Sequence, residues 1–108
     1  MEVIHKIGRR KTSVARVYMS KGDQKHTING KSLEEYFPTA TLQSKIKKPL
    51  ELTDNLTTYY IKVNVYGGGI NGQAESIRLA ISRALCEVNE EYRPVLKKEG
   101  LLTRDPRI

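Results

Sequence analysis

Three stretches of the chain alternate between hydrophobic and polar residues, and a period of two along the sequence predicts β-strands. In the last of them Ile61, Val63 and Val65 lie on one side, while Lys62 and Asn64 lie on the other. That strand is therefore expected to have one buried face and one wet face. The three predicted strands are residues 3–8, 12–20 and 59–66.

A helical period governs the segment after the third of these strands, where hydrophobic residues recur every three or four positions. We predict a helix over residues 72–88 with Asn71 as its N-cap, because an asparagine side chain can accept from the first-turn backbone. Cys86 is expected to be a small buried residue on this helix. The predicted buried stripe is Ala74, Ile77, Ile81, Ala84, Leu85 and Val88.

Shorter elements fill the rest of the chain. Residues 25–28 are a predicted short strand that ends in a turn at Asn29-Gly30. Ser32 and Glu35 match a capping box, which starts a short helix over residues 33–37. The remaining predicted helices run from residue 39 or 40 to residue 48, with Pro49 as the end, and over residues 94–98, with Gly100 as the C-terminal cap.

The resulting order, β-β-β-α-α-β-α-α, predicts an α+β fold. We expect a two-layer α/β sandwich with a mainly antiparallel sheet and the helices on one face. The sequence contains no repeat, low-complexity segment or linker. Residues 1–108 are therefore expected to form a single domain.

The charge of the chain favours a polyanionic partner, either a nucleic acid or an acidic membrane surface. Lysine and arginine total 19 against 12 acidic residues, which gives a net charge of +7. Most of the excess lies in residues 1–31, with eight basic and two acidic side chains. No hydrophobic run approaches the ~20 residues of a membrane span, no secretory signal is recognisable, and one cysteine excludes an internal disulfide. A cytoplasmic protein is expected.

Three consecutive glycines, residues 67–69, separate the alternating strand 59–66 from the long helix. Glycines let a phosphate backbone approach without a Cβ in the way, and the start of a helix adds bare N–H groups and partial positive charge. Asn71 and Gln73 are placed to bond phosphate, ribose or base edges, and Arg78 lies further along the same helix. The pattern predicts a phosphate-binding bend.

Two alternatives to a nucleic acid remain open at this bend. Gly67, Gly69 and Gly72 fit the G-x-G-x-x-G pattern of a dinucleotide site. However, the preceding strand alternates, and Glu90 and Glu91 follow a helix rather than the second strand that such a site needs. The other alternative is a tight connection between strand and helix that binds no ligand.

Two further cationic elements lie towards the ends of the chain. Three adjacent like charges at the predicted tip of the first hairpin repel one another, and phosphates would relieve that repulsion. At the other end, two leucines are expected to anchor on the core and leave two arginines in an extended segment. The cations are Arg9, Arg10 and Lys11 at the hairpin and Arg104 and Arg107 at the end.

Groupings of catalytic residues are sparse. His5 and His26 stand alone, and His5 is expected to be packed because it lies on an apolar strand face. No Cys, His or Asp spacing matches a metal site, and no nucleophilic triad can be assembled. We predict no enzymatic activity, no metal and no cofactor. Tyr59, Tyr60 and Tyr66 are candidates for stacking on bases, although a half-buried strand rich in tyrosine needs no ligand.

Three separated strings converge on one family. They are GRRKTSVARV at residues 8–17, VYGGGINGQA at residues 65–74 with Ile77 and Arg78 after it, and LLTRDPR at residues 101–107. In this order and spacing, over essentially the whole length, the chain resembles the bacterial-type family of small-subunit ribosomal protein nine. INGKSLEEYF at residues 28–37 also resembles that family.

The resemblance implies a fold related to the second domain of small-subunit ribosomal protein five, with a left-handed β-α-β crossover. It implies a structural partner of the 3′ major domain of small-subunit rRNA, in the subunit head beside other ribosomal proteins. Family members usually continue from a C-terminal extension, here starting at residues 101–108, into a basic tail that touches the peptidyl-site tRNA. This tRNA contact is therefore assigned to no residue of the chain. The residues expected to face rRNA are Arg9, Arg10, Lys11, Thr12, Arg16, Gly68, Gly69, Asn71, Gln73, Arg78, Arg104 and Arg107.

Overall fold

A five-stranded sheet and four helices make up the part of the chain that the structure, a computed structural model, describes: residues 3–10, 12–22, 25–55 and 58–102. The predicted α+β class and order of elements are confirmed, with one added strand of two residues, β4. The elements are β1 (Ile4–Arg10), β2 (Ser13–Lys21), β3 (His26–Ile28), β4 (Lys31–Ser32), α1 (Leu33–Tyr36), α2 (Ala40–Leu52), β5 (Tyr59–Tyr66), α3 (Ile70–Val88) and α4 (Tyr92–Lys98).

The sheet has the strand order β1-β2-β5-β3-β4. The pairs β1–β2, β2–β5 and β3–β4 are antiparallel, and β3 lies parallel to β5. Parallel neighbours cannot be joined by a tight hairpin, and here α1 and α2 make the crossover between them. The mainly antiparallel sheet that the sequence predicts is therefore confirmed.

One face of the sheet carries the core. Residues that lie opposite each other on antiparallel strands project to the same side, and three successive inward rows shared by β2 and β5 are at most 4% exposed. α3 packs against this face along β1 and β2. The inward rows are Ala15, Val17 and Met19 of β2 and Ile61, Val63 and Val65 of β5.

The other face of β1, β2 and β5 is at least partly exposed to solvent at every position, and we call it the open sheet face. The alternation of β5 predicted this wet face. The register aligns its residues in rows across the three strands. The open sheet face consists of His5, Ile7, Arg9, Val14, Arg16, Tyr18, Ser20, Tyr60, Lys62, Asn64 and Tyr66.

The first hairpin differs from the prediction. β1 continues to Arg10, with Arg9 opposite Val14 and Arg10 opposite Ser13, so both arginines belong to a strand and not to a hairpin tip. Gly8 does not start a turn. A Cβ on Gly8 would overlap the backbone of Ser76 in α3, so this glycine allows the helix to approach the strand closely.

His5 is not a packed core histidine, as the sequence suggested. It lies opposite Tyr18 on the open sheet face and is exposed. The two rings stack with centroids 4.5 Å apart and planes within 3°. The apolar face of β1 that includes Ile7 therefore points away from the helices, because the core side of this strand is built around Gly8 instead.

The predicted end of α2 is wrong. The helix contains Pro49 and ends at Leu52. A proline inside a helix removes one backbone hydrogen bond, but it does so here only in the last turn. The extra turn buries Leu50, which is 1% exposed, and burial of a leucine contributes about 1.5–3 kcal/mol, so packing outweighs the local preference for an end.

The predicted start of α3 is also wrong. Gly69, not Asn71, is the N-cap, and Asn71 lies within the first turn. Gly67 and Gly68 adopt positive φ angles of 80° and 60°, which turns the chain at once and brings the helix start forward. At the other end of α3, Val88 is 37% exposed and does not belong to the buried stripe.

The turn and cap predictions at the shorter elements are confirmed. Asn29 and Gly30 have φ angles of 51° and 83°, as a two-residue hairpin turn requires. The capping box at Ser32 is complete. Gly100, at φ 76°, follows α4, and Leu101 donates its backbone N–H to the carbonyl of Leu96, which closes the helix end.

Candidate nucleic-acid interface

The glycine bend packs directly on the start of β2. A Cβ on Gly67 would overlap the carbonyl oxygen of Thr12, and one on Gly68 would overlap the hydroxyl of Ser13. Their positive φ angles also disfavour any other residue. The three-glycine string is therefore required in part by the fold itself, at Gly67 and Gly68.

Gly69 differs from its two neighbours. Its φ of −95° suits any residue, and a Cβ built on it has no atom within 4 Å. The absence of a side chain here leaves open space in front of the helix start. Intrahelical bonding begins only at Gln73, whose backbone N–H donates to the Gly69 carbonyl at 2.9 Å. The N–H groups of the first turn before it have no partner within the helix.

A concave surface forms where this bend meets the first hairpin, and we call it the bend site. It brings together five of the residues predicted to face rRNA, from two strings far apart in the sequence: Arg10, Thr12, Gly68, Gly69 and Asn71. The Asn71 side chain makes no hydrogen bond within the described part of the chain. The other lining residues are Ser13, Gly72 and Glu75.

A hydrogen-bond network fixes the shape of the bend. The Gly67 carbonyl accepts from the Ser13 hydroxyl at 2.9 Å and from the Gln73 amide at 3.1 Å. The Gln73 carbonyl oxygen accepts from the Tyr36 hydroxyl at 2.8 Å. Both ends of the Gln73 side chain are thus bonded within the fold, and the structure gives this predicted RNA-facing residue a positioning role.

Asn29 extends the network to the sheet. Its side chain imitates a strand residue, because Nδ2 donates to the Val65 carbonyl and Oδ1 accepts from the Val65 N–H, both at 2.9 Å. Nδ2 also lies 3.3 Å from the Tyr36 hydroxyl. The β3–β4 turn is therefore coupled through Tyr36 to the bend, immediately beyond the end of β5.

Glu75 places one carboxylate among the cations of the bend site. Its Oε1 accepts from Arg10 Nε at 2.6 Å, and its Oε2 lies 3.6 Å from Lys45 Nζ. Partial burial raises the pKa of Glu75, but the hydrogen bond from Arg10 and the charges of Arg10, Lys45 and Arg78 together hold it below its ordinary value. The carboxylate thus stays ionised and holds Arg10 at the rim.

The structure separates the other predicted residues from the bend site. Arg9 and Arg16 are exposed on the open sheet face. Arg78 is half-buried on α3 within electrostatic range of Glu75. Lys11, Arg104 and Arg107 lie outside the described residues.

Sequence reasoning missed several residues of these surfaces. Tyr36 and Asn29 carried no visible signal, because their partners lie across the fold. Lys62 and Tyr18 could have been found from strand alternation, since both fall on polar-facing positions beside Arg16. Of the three tyrosines proposed for stacking, Tyr59 is buried on the core side at 6% exposure, whereas Tyr60 and Tyr66 lie on the open sheet face.

The topology argues against a dinucleotide site at the bend. Such a site needs a strand after the long helix, ending in an acidic residue, but α3 is followed by α4. Within the described ranges, no group of three His, Cys, Asp or Glu side chains could hold a metal ion. None of the helices in the part of the chain that the structure describes is long and apolar enough to span a membrane.

Comparison with known proteins gives one consistent result. A family model described as "Ribosomal protein S9/S16" matches residues 8–108. The chain is 59% identical over 108 residues to "Small ribosomal subunit protein uS9" of Flavobacterium psychrophilum, which covers 100% of this chain and 84% of the relative. Proteins of the same name from Christiangramia forsetii and Amoebophilus asiaticus are 60% and 55% identical with the same coverage.

Proposed function

The chain belongs to the ribosomal protein S9/S16 family, whose members are structural, non-enzymatic components of the ribosome, and from this premise we propose that it binds and positions rRNA of the small-subunit head. It acts as one domain, in the cytoplasm, beside other proteins of the head. Its chemistry is the neutralisation of phosphates and the fixing of RNA strands relative to each other.

The observation that carries this proposal is the assembly of the bend site. The hairpin string and the glycine string contribute residues to one concave surface, although Ser13 and Gly67 are 54 positions apart. Arg10 offers a guanidinium with fork geometry, Thr12 and Asn71 offer neutral donors, and the α3 first turn offers backbone N–H groups. Every one of these groups suits a phosphate oxygen.

Gly69 gives the sharpest test, because a side chain fits there without disturbing the fold. Gly69→Leu should fill the open space in front of α3 and weaken binding to a transcript of the rRNA 3′ major domain about tenfold or more, while the melting temperature changes little. Affinity is measured by filter binding at several salt concentrations. Ser44→Leu adds the same side chain at an exposed position of α2 and serves as the control.

Salt dependence provides the second readout of the same experiment. If about five phosphates are engaged, log K should fall against log salt with a slope of about −3.5 to −4.5. Unchanged affinity of Gly69→Leu, together with a slope near zero, would refute the proposal. Loss of affinity in both Gly69→Leu and Ser44→Leu would show a general defect and would also count against the bend site.

A further inference from the structure

The open sheet face combines cations and aromatic rings with no acidic residue. None of the strands β1, β2 and β5 contains Asp or Glu. The face carries Arg9, Arg16 and Lys62, all exposed. On the helix side of β1, by contrast, Lys6 is paired with Glu87 at 3.0 Å and Arg10 with Glu75 at 2.6 Å. The charge of the open sheet face is thus not balanced by the strands that carry it.

The register places the three cations on a diagonal. Arg9 lies opposite Val14, two residues before Arg16, and Arg16 lies opposite Asn64, two residues after Lys62. Diagonal neighbours on antiparallel strands are about 7–8 Å apart. Like charges at that spacing repel one another, so a chain of negative charges laid across the strands would be attracted along the whole diagonal.

Aromatic rings occupy the same rows as the cations. Tyr66, which is 57% exposed, shares the row of Val14 and Arg9. Tyr18 shares the row of Lys62 and is stacked on His5. Rings alternating with cations are the arrangement by which proteins hold unpaired nucleic-acid strands, with bases on the rings and phosphates at the cations.

The open sheet face is continuous with the bend site. Tyr66 is followed directly by Gly67, and Val14 follows Thr12 and Ser13, which line the bend site. The bend site therefore adjoins the row of Arg9 and Tyr66 where β5 ends and β2 begins. A double helix does not fit this description, because its bases are stacked on each other and are not available to the rings.

We infer that the open sheet face is a second RNA-binding surface, which takes an unpaired strand with its bases stacked on Tyr18 and Tyr66 and its phosphates at Arg9, Arg16 and Lys62. This inference rests on the proposed function and extends it. The bend site positions a phosphate backbone, and the open sheet face distinguishes unpaired from paired RNA.

The test uses the full chain with two probes, a short single-stranded oligouridylate and a blunt RNA duplex of the same length. Chemical-shift changes followed by NMR should reach Arg16, Tyr18, Lys62 and Tyr66 with the oligouridylate and should not do so with the duplex. Tyr18→Leu with Tyr66→Leu should weaken oligouridylate binding about tenfold or more for each base that loses its ring. Tyr18→Phe with Tyr66→Phe keeps the rings and should restore affinity.

A charge series supplies a matched control. Replacing Arg9, Arg16 and Lys62 by glutamine should make the salt slope for oligouridylate less negative by about 2, at about 0.7 per phosphate contact on a single strand. Replacing Lys6, Lys47 and Arg93, which are paired with carboxylates, changes the net charge equally and should alter the slope much less. Equal slopes in the two triple variants would overturn the inference.

The outcomes separate this inference from the proposed function. Shift changes confined to Gly69 and Asn71, with none on the open sheet face, would overturn the second surface and leave the bend site intact. Shift changes on the open sheet face, with no effect of Gly69→Leu on affinity, would overturn the bend site and leave the second surface intact. Protection of Lys62 from acetylation in rRNA complexes only after other head proteins are added would show a protein partner and would overturn the inference.

Discussion

Both sides of β1 carry basic residues, but the surroundings of these residues differ. On the helix side Lys6 lies 3.0 Å from Glu87, and Arg10 lies 2.6 Å from Glu75. On the open sheet face Arg9, directly beside Arg10 in sequence, lies opposite Val14 in the row of Tyr66, and the strands of this face contain no Asp or Glu. Lys6 and Arg10 are therefore paired with carboxylates within the fold, whereas the strands that form the open sheet face offer Arg9 no carboxylate.

Packing shows the same division. The core side of β2 and β5 is almost fully buried, and Gly8 lets α3 approach the backbone of β1. The open sheet face holds half-buried apolar residues such as Val14 beside exposed arginines. Buried packing thus lies on one side of the sheet and exposed cations on the other, and substitutions on neighbouring residues of one strand can test how much each side contributes to stability.

The largest expected effect comes from Gly8 and its neighbour Arg9. Gly8→Val should destabilise the fold by at least about 3 kcal/mol, because the side chain meets helix backbone that cannot move aside. A loss of that size lowers the melting temperature by more than about 12 °C. Arg9→Val, which adds a β-branched residue on the opposite side, should shift stability by less than about 0.5 kcal/mol. Thermal unfolding of both variants checks the contrast, and comparable losses would abolish it.

Tyr36 gives the next largest effect, at the bend that joins the two sides. Tyr36→Phe removes the hydroxyl that donates to Gln73 at 2.8 Å, and it should cost about 1 kcal/mol in urea unfolding. The amide resonances of Gly67 and Gly68 should shift with it, since Gln73 also bonds the Gly67 carbonyl. A stability loss with no change at the glycines would show that the network does not shape the bend.

Sequence patterns predicted the architecture well because they report local chemistry. The alternation of residues 59–66 predicts β5 and its wet face, and the Asn29-Gly30 pair predicts the turn. Both signals arise from preferences that act within a few residues. The resemblance to the family likewise depends on short continuous segments of sequence. These signals require no knowledge of which elements become neighbours.

The failures came from contacts across the fold. The sequence predicts a helix end at Pro49, but α2 continues past it to Leu52 because the last turn buries Leu50. Arg9 and Arg10 were grouped as equivalent, because nothing in the sequence reveals that Glu75 faces only one of them. The sequence singles out five of the residues that line the bend site but not Ser13, Gly72 or Glu75. The positioning role of Gln73 depends on Tyr36, and that proximity exists only in three dimensions.

A smaller effect should distinguish the two adjacent arginines. Arg10→Ala removes the hydrogen-bonded partner of Glu75 and should cost up to about 1 kcal/mol, since the pair is partly exposed and screened by solvent. Arg9→Ala should cost close to nothing. Urea unfolding at neutral pH measures the difference, and equal stabilities would mean that the Arg10–Glu75 pair does not contribute.

The effect of Arg10→Ala on stability should depend on pH. The pKa of Glu75 is lower in the folded chain than the ordinary value of 4.5. Its contribution to stability is therefore complete above that value and is lost as the pH falls through the folded pKa. The stability gap between Arg10→Ala and the unchanged chain should therefore close in acid. A gap that persists below the folded pKa would assign the effect of Arg10 to packing of its side chain.

The smallest effect concerns the one buried side-chain atom without a hydrogen-bond partner among the described residues, His26 Nε2. Burial lowers the pKa of His26 from 6.5, Lys47 lowers it further, and Glu34 opposes them. The folded chain therefore favours neutral His26, and its stability should decline once the pH drops below 6.5, where only the unfolded chain takes up the proton readily. His26→Gln should remove this decline. Lys47→Gln should make the decline in stability smaller when His26 is present, and should have no such effect when it is combined with His26→Gln. The measurement compares the unchanged chain, the two single variants and the double variant. An equal pH dependence of stability in all four would show that the helix side of the sheet tolerates a charged His26.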